Sequence, residues 1–312
     1  MTPPSIDRIP QNWPLREFST SVTSGTMEWH VQMAGLPCNP GGAEKPIALL
    51  LHGTGSSAHS WAEFIPELAK THRVIAPDLP GHGFTISHQA EPLSLKLIAH
   101  KLAELLQVLG IAQIDDIIGH SAGATLGLQY SLLYPAPKRI LGLNPSLVSL
   151  PSFYHSFLAP LINPIATSSF VSSLIADLLP HTGMIDKLLD STNSKLNGIQ
   201  RERYKLLFKQ KNHINGSLNF MAATDIPDLL RHTDRIQSQL TFLVAKQDSW
   251  VRKDELLAVI GQYFPKATVI QEDGGHLFHE ANPAAALAFI QAVLYPSQQD
   301  THSTPPTRER KT

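Results

Sequence analysis

Asp115-Asp116-Ile117-Ile118-Gly119-His120-Ser121-Ala122-Gly123 is the stretch whose reading decides the fold. A short apolar run, Ile117 and Ile118, leads into G-x-S-x-G, and a helix-like segment follows from Ala122 to about Tyr134, ended by Pro135. A chain that passes from a buried strand straight into a helix has to bend sharply at the residue between them. A side chain at either flanking glycine would collide with neighbouring backbone, so Gly119 and Gly123 permit the close approach. The bend lifts the Ser121 hydroxyl above the sheet edge. It also brings the first amide N–H groups of the helix beside that hydroxyl, where they can stabilise an oxyanion. The pattern reads as a nucleophile elbow.

Working outward, the chain alternates buried strands with helices. Ile47–Leu51 is an unbroken apolar run, as suits a strand covered on both faces; Val74–Ala76 reads as the next buried strand, Arg139–Leu143 as another apolar strand, and Thr241–Ala245 and Thr268–Gln271 as further strands. Leu93–Leu109, Lys253–Tyr263 and Pro283–Tyr295 carry helical spacing, and so does Ser57–Leu68, where Pro66 is expected to interrupt it. Arg16–Gly35 reads as an antiparallel hairpin turning at Ser24-Gly25. The pattern predicts an α/β protein with a doubly wound, mostly parallel sheet. It stops at Asn144 and resumes near Thr241. Residues 1–144 and 236–296 are therefore expected to form the two parts of one core, 145–235 a helical cap, and 297–312 a disordered tail.

Composition narrows the function classes. The 312 residues carry a formal net charge of -1, which gives no support to nucleic-acid binding. Cys38 is the single cysteine and lies in a Pro/Gly-rich loop, so no internal disulfide can form and a reducing, cytoplasmic setting is expected. Met1–Trp13 lacks the apolar core of a signal peptide, and no run of about eighteen apolar residues suggests a membrane span.

A serine hydroxyl is a weak nucleophile at neutral pH and needs a base, which in turn needs an orienting acid. In this topology both follow the serine, acid first. Asp248 lies just past the Thr241–Ala245 strand, and His276 follows the last strand in Asp273-Gly274-Gly275-His276. Ser121, Asp248 and His276 are the candidate triad. Asp248 has the competing reading of a helix N-cap, and His276 that of one surface histidine among 15. His52-Gly53-Thr54-Gly55 supplies a glycine turn after a strand, so the N–H groups of Thr54 and Ala122 are the candidate oxyanion donors. Asp78 and His82, in Pro77-Asp78-Leu79-Pro80-Gly81-His82-Gly83, are expected to be structural, and His120 to shape the pocket. Trp61, Phe153 and Phe157 are candidate substrate contacts; no metal or cofactor is expected.

These motifs together resemble the α/β-hydrolase superfamily across about residues 20–295. A narrower resemblance lies in Trp13-Pro14-Leu15-Arg16-Glu17, Trp29-His30-Val31-Gln32, His52 through Trp61, Leu79 through Thr85 and, more weakly, Leu143-Asn144-Pro145-Ser146-Leu147. These look like the BchO-type magnesium-chelatase accessory proteins. That resemblance implies a place in bacteriochlorophyll biosynthesis and contact with magnesium chelatase subunits. It implies no substrate.

Two function classes stand at this point. One is a serine hydrolase acting on an ester or related acyl bond, with carbon–carbon bond hydrolysis open to the same triad. The other is a non-catalytic tetrapyrrole- or chelatase-binding accessory on the same fold. Between Ile140 and Ile185 the only Asp, Glu, Lys or Arg is Asp177. This stretch reads either as ordinary burial or as a greasy wall for a small apolar or tetrapyrrole-like ligand, with peripheral membrane contact through the cap. Lys187–Lys211 holds seven Lys/Arg against two Asp/Glu. That excess reads as a solvated helix face or as attraction to anionic lipid or porphyrin carboxylates.

Overall fold

The computed structural model describes residues 5–35, 45–148 and 183–295. Cys38, Phe153, Phe157, most of the apolar stretch of the cap and the proposed tail lie outside the described residues. The chain opens with β1 (Ser19–Ser24) and β2 (Met27–Ala34), an antiparallel hairpin that turns at Gly25 with φ 56°. Then come β3 (Ile47–Leu51), β4 (Arg73–Pro77), the short β5 (Ile86–Ser87), β6 (Asp116–His120), β7 (Arg139–Leu143), β8 (Gln239–Ala245) and β9 (Thr268–Glu272). Their order across the sheet is β1-β2-β4-β3-β6-β7-β8-β9, with β5 on the side of β2. All neighbours from β4 to β9 are parallel, and β2 runs antiparallel to β4.

Alternate residues of each central strand enter different cores. Leu49, Ile117, Ile140 and Phe242 pack on one face with helices α2 (Leu95–Val108), α3 (Ala122–Leu133) and α8 (Lys253–Tyr263). Leu50, Ile118, Leu141 and Leu243 pack on the other with Trp61, Phe64, α1 (Ile65–Leu68) and α10 (Pro283–Leu294). A strand covered on both faces favours apolar residues on both, so the apolar runs are continuous rather than alternating. Each such Leu or Ile contributes roughly 1.5–3 kcal/mol through removal from water. Pro66 does not interrupt a helix as expected. Ala58–Trp61 is a 3₁₀ turn, and Pro66 sits in the first turn of α1, where the missing N–H costs nothing.

The described part of the insertion supplies α4 (Met184–Asp190), α5 (Gly198–Leu207), α6 (Lys211–Ala223) and α7 (Ile226–Leu230). Asn197 and Gln200 start α5 as a capping box. Two of the basic side chains of Lys187–Lys211 form ion pairs within that stretch and with Asp186 just before it. Arg201 pairs with Asp186 and Asp190, and Lys205 with Asp186 and Glu202. The last small helix, α9 (Phe278–Ala281), follows directly on the His276 loop. No helix among the described residues is long and apolar enough to cross a membrane.

Candidate active site

The bend between β6 and α3 falls on Ser121, whose φ of 52° and ψ of -120° lie where residues other than glycine are strained. Its backbone is fixed on both sides. The Ser121 N–H donates to the Leu143 carbonyl at 3.0 Å, and its carbonyl accepts from Ala124 and Ser146 at 3.1 Å. The flanking glycines have no room for a side chain: a Cβ on Gly119 would lie 2.5 Å from the Ala124 backbone, and one on Gly123 2.2 Å from the Leu51 carbonyl.

His276 Nε2 lies 3.0 Å from Ser121 Oγ, and His276 Nδ1 lies 2.7 Å from Asp248 Oδ2. The structure thus brings together the three residues singled out from sequence. The arrangement fits one tautomer, with Nδ1–H donating to the carboxylate and Nε2 accepting from the serine hydroxyl. Asp248 does not cap α8, whose N-cap is Arg252. Instead its other oxygen, Oδ1, accepts the N–H groups of Trp250 and Val251 at 2.8 and 2.9 Å, which aims Oδ2 at the histidine. The Trp250 ring stacks on the His276 imidazole at 5.5 Å and 21°.

Ala122 is the first residue of α3, so its N–H belongs to the helix turn that has no intrahelical acceptor. Across the serine stands the turn that carries Thr54, closed by the Ser56 N–H on the Gly53 carbonyl at 3.2 Å. This turn is close to the nucleophile: a Cβ on Gly53 would lie 3.1 Å from Ser121 Cβ. His52 buttresses the turn, with Nδ1 donating to the Gly53 carbonyl at 2.8 Å and Nε2 accepting the Leu79 N–H at 2.9 Å. Burial lowers its pKa and keeps that neutral tautomer.

One residue that holds this geometry, Asn144, escaped the sequence reading. Asn144 ends β7 with φ 45° and is buried. Its Nδ2 donates to the Gly275 and His276 carbonyls at 3.2 and 3.0 Å, and its Oδ1 accepts the Ala245 N–H at 2.7 Å. The signal was an Asn at the place where an apolar strand stops, since Asn tolerates positive φ. His120, expected to shape the pocket, donates from Nε2 to the His276 carbonyl at 2.8 Å. Burial first, then the His279 and His276 charges, keep its pKa well below the usual value.

A second buried polar pair joins α5 to α9, the helix just past His276. Tyr204 on α5 donates to Glu280 Oε1 at 2.6 Å and lies 3.3 Å from Ser56 Oγ. Burial raises Glu280 to about 7, against the lowering effects of the Tyr204 hydrogen bond and the Arg203 charge. His279 is fully buried beside Trp61 and Phe64, and burial followed by the His276 charge lowers it to about 3. One expectation is corrected here. Trp61 has no exposed surface and packs among Phe64, His279 and the sheet, so it is a core residue and not a substrate contact. Phe153 and Phe157 lie outside the described residues. An open groove of about 480 Å³ lies between α2 and α3, lined by His100, Tyr130 and Tyr134, at the end of α3 remote from Ser121. No cluster of metal-ligating side chains occurs among the described residues.

Fold and site together define a class. The chain belongs to the alpha/beta hydrolase family, whose model matches residues 48–288. Among individual proteins, it is 33% identical over 272 residues to the magnesium-chelatase 30 kDa subunit of Rhodobacter capsulatus, covering 87% of this chain and 93% of that one. Of solved structures, the carboxylesterase CesB of Bacillus subtilis superposes with a TM-score of 0.71 at 15% identity, over 93% of this chain and 96% of that one. The enol-lactonase of Burkholderia xenovorans LB400 gives 0.67 at 15% identity, over 88% and 99%. At such identities these structures bear on the fold alone.

Proposed function

We propose that the chain is a serine hydrolase acting on an ester or related acyl bond. Ser121 Oγ attacks the acyl carbon while His276 Nε2 takes the hydroxyl proton, and Asp248 holds the resulting imidazolium. The carbonyl oxygen becomes an oxyanion between the Thr54 and Ala122 N–H groups. His276 returns the proton to the leaving alcohol as the bond to it breaks. Water, deprotonated by the same histidine, then displaces the acyl group from Ser121. The single observation that carries this reading is the unbroken Ser121–His276–Asp248 hydrogen-bond chain at a strained elbow.

The apolar stretch after Asn144 favours a bulky acyl or tetrapyrrole ester as substrate. The magnesium-chelatase relative supports a place beside that enzyme in bacteriochlorophyll biosynthesis. It also supports the second reading, an accessory that binds tetrapyrrole or chelatase without turning anything over. A panel of p-nitrophenyl esters of increasing acyl length separates the two. The hydrolase reading expects turnover with an acyl adduct visible by intact mass, both lost in Ser121→Ala. Well-folded protein that hydrolyses none of the esters and traps no acyl group would favour the accessory.

A further inference from the structure

The segment that leaves α4 touches both loops of the triad. The Thr192 carbonyl accepts the His276 N–H at 2.8 Å. Ser194 Oγ accepts the Leu277 N–H at 2.8 Å. Asn193 donates from Nδ2 to the Gln247 carbonyl at 2.9 Å, one residue before Asp248. On the same side, the Ser249 hydroxyl donates to the Ser191 carbonyl and Trp250 Nε1 to Ser191 Oγ at 3.1 Å. The fit is close: Gly275 passes under the Asn193 backbone, where a Cβ would lie 2.2 Å from the Asn193 oxygen. Asn193 itself has φ 55°, a conformation that Asn tolerates better than most residues.

These contacts are one-sided in origin. Asp248 and His276 stand on loops after β8 and β9, and the backbones of the two loops are joined upstream of both residues, where the Gln247 N–H donates to the Gly274 carbonyl at 2.9 Å and the Gly274 N–H to Gln247 Oε1. The Asn144 and His120 side chains hold the His276 carbonyl from the sheet side. The His276 N–H and the next amide are held from the insertion. The imidazole is thus suspended between the core and residues 191–194.

We propose that Asn193 and Ser194 are positioning residues: residues 191–194 form a clasp from the insertion that joins the Asp248 and His276 loops and sets the His276 imidazole against Ser121. A shift of α4 then changes the alignment of the base without touching the sheet. The proposal rests on the serine-hydrolase reading for its effect on rate, but the clasp itself is a statement about the Asp248–His276 bond.

The test uses Asn193→Gly, which keeps the positive φ and removes the Nδ2 donor, and Ser194→Ala, which leaves the Leu277 N–H without its acceptor. Two quantities are read in the full chain: the rate of fluorophosphonate labelling of Ser121 across pH, and the low-field imidazole N–H resonance of the Asp248–His276 bond. A clasp predicts labelling slower by about tenfold to a hundredfold, as for a small misplacement of a catalytic group, with a displaced acid limb and a shifted or broadened resonance. A merely structural role predicts a lower melting temperature with the wild-type labelling profile and resonance, and that result overturns the clasp. Should Ser194→Ala fail to fold, Asn193→Gly alone decides. Should the wild type not label at all, the hydrolase reading falls while the resonance still decides the clasp.

Discussion

Two serine–histidine–aspartate chains lie among the described residues, and their lengths nearly coincide. In one, Ser121 Oγ stands 3.0 Å from His276 Nε2 and His276 Nδ1 2.7 Å from Asp248. In the other, Ser19 Oγ stands 2.9 Å from His30 Nε2 and His30 Nδ1 2.7 Å from Asp78. The difference lies in the backbone around them. Ser19 begins an ordinary strand with φ -76° and ψ 136°, paired to Gln32 across the hairpin. No helix begins beside it to offer amides to an oxyanion. Asp78 is saturated: Ala58 and Phe84 donate N–H groups to it at 2.7 and 2.8 Å, besides His30. Burial by itself would raise its pKa, but the His30 charge and hydrogen bond, with the Ala58 amide, hold the carboxyl well below the usual range. This second chain ties β2 to the β4 and β3 loops. Hydrogen-bond distances alone therefore do not distinguish the two serines; what sets Ser121 apart is its strained backbone at a helix start whose first amide has no intrahelical acceptor.

The comparison can be broken most sharply at the two histidines. His276→Ala should lower turnover per folded molecule on the order of a thousandfold or more, in addition to the stability lost by leaving the buried Asp248 carboxylate without its histidine. His30→Ala should spare the chemistry. It strands the Asp78 carboxylate in the core, costing about 3–5 kcal/mol of stability, with turnover per folded molecule retained. Ester hydrolysis normalised to folded fraction distinguishes these outcomes, and equal loss of turnover in both would erase the distinction.

The aspartates sharpen it with pH. Asp248→Asn should impair turnover about as severely as loss of the base, by favouring the wrong imidazole tautomer. Asp78→Asn should act on stability. The Asp78 pKa is lower folded than unfolded, so its contribution is complete above the ordinary carboxylate range and lost as pH falls from there through the depressed folded value. The Asn variant should therefore show a flatter acid slope in melting temperature than wild type.

A smaller effect is expected at Glu280. Its folded pKa of about 7 lies above the ordinary 4.5, so the associated stability is complete below about 4.5 and lost as pH rises through 7. The difference is on the order of 3 kcal/mol. His279 and His213, lowered to about 3 and about 4, act in the other direction: their contribution is present above 6.5 and lost as pH falls. Glu280→Gln should remove the neutral-side decline and keep the acid-side one, read from melting temperatures between pH 4 and pH 8. The smallest change is expected for Ser19→Ala, which removes one half-buried hydroxyl and should leave turnover unaltered.

Much of this was legible in the sequence because it obeys local rules. The continuous apolar runs of β3, β6 and β7 follow from coverage on both faces, and Gly119 and Gly123 from the absence of room at the elbow. The parts that were not legible depend on long-range contacts. Asn144 reaches the His276 loop across more than a hundred residues, and the turn at Thr192 meets Gly275 from the insertion. Trp61 misled because an aromatic near a glycine loop looks the same in sequence whether it faces a pocket or, as here, the core.

Fluorophosphonate labelling followed by peptide mapping of the full chain sets Ser121 directly against Ser19. Both serines offer a hydroxyl to a histidine within 3.0 Å, so the reagent chooses between the two backbones. A single adduct is expected on the peptide containing Ser121, lost in Ser121→Ala and unchanged in Ser19→Ala. Folded wild-type protein that takes up no reagent, or an adduct that survives Ser121→Ala, would contradict Ser121 as the nucleophile.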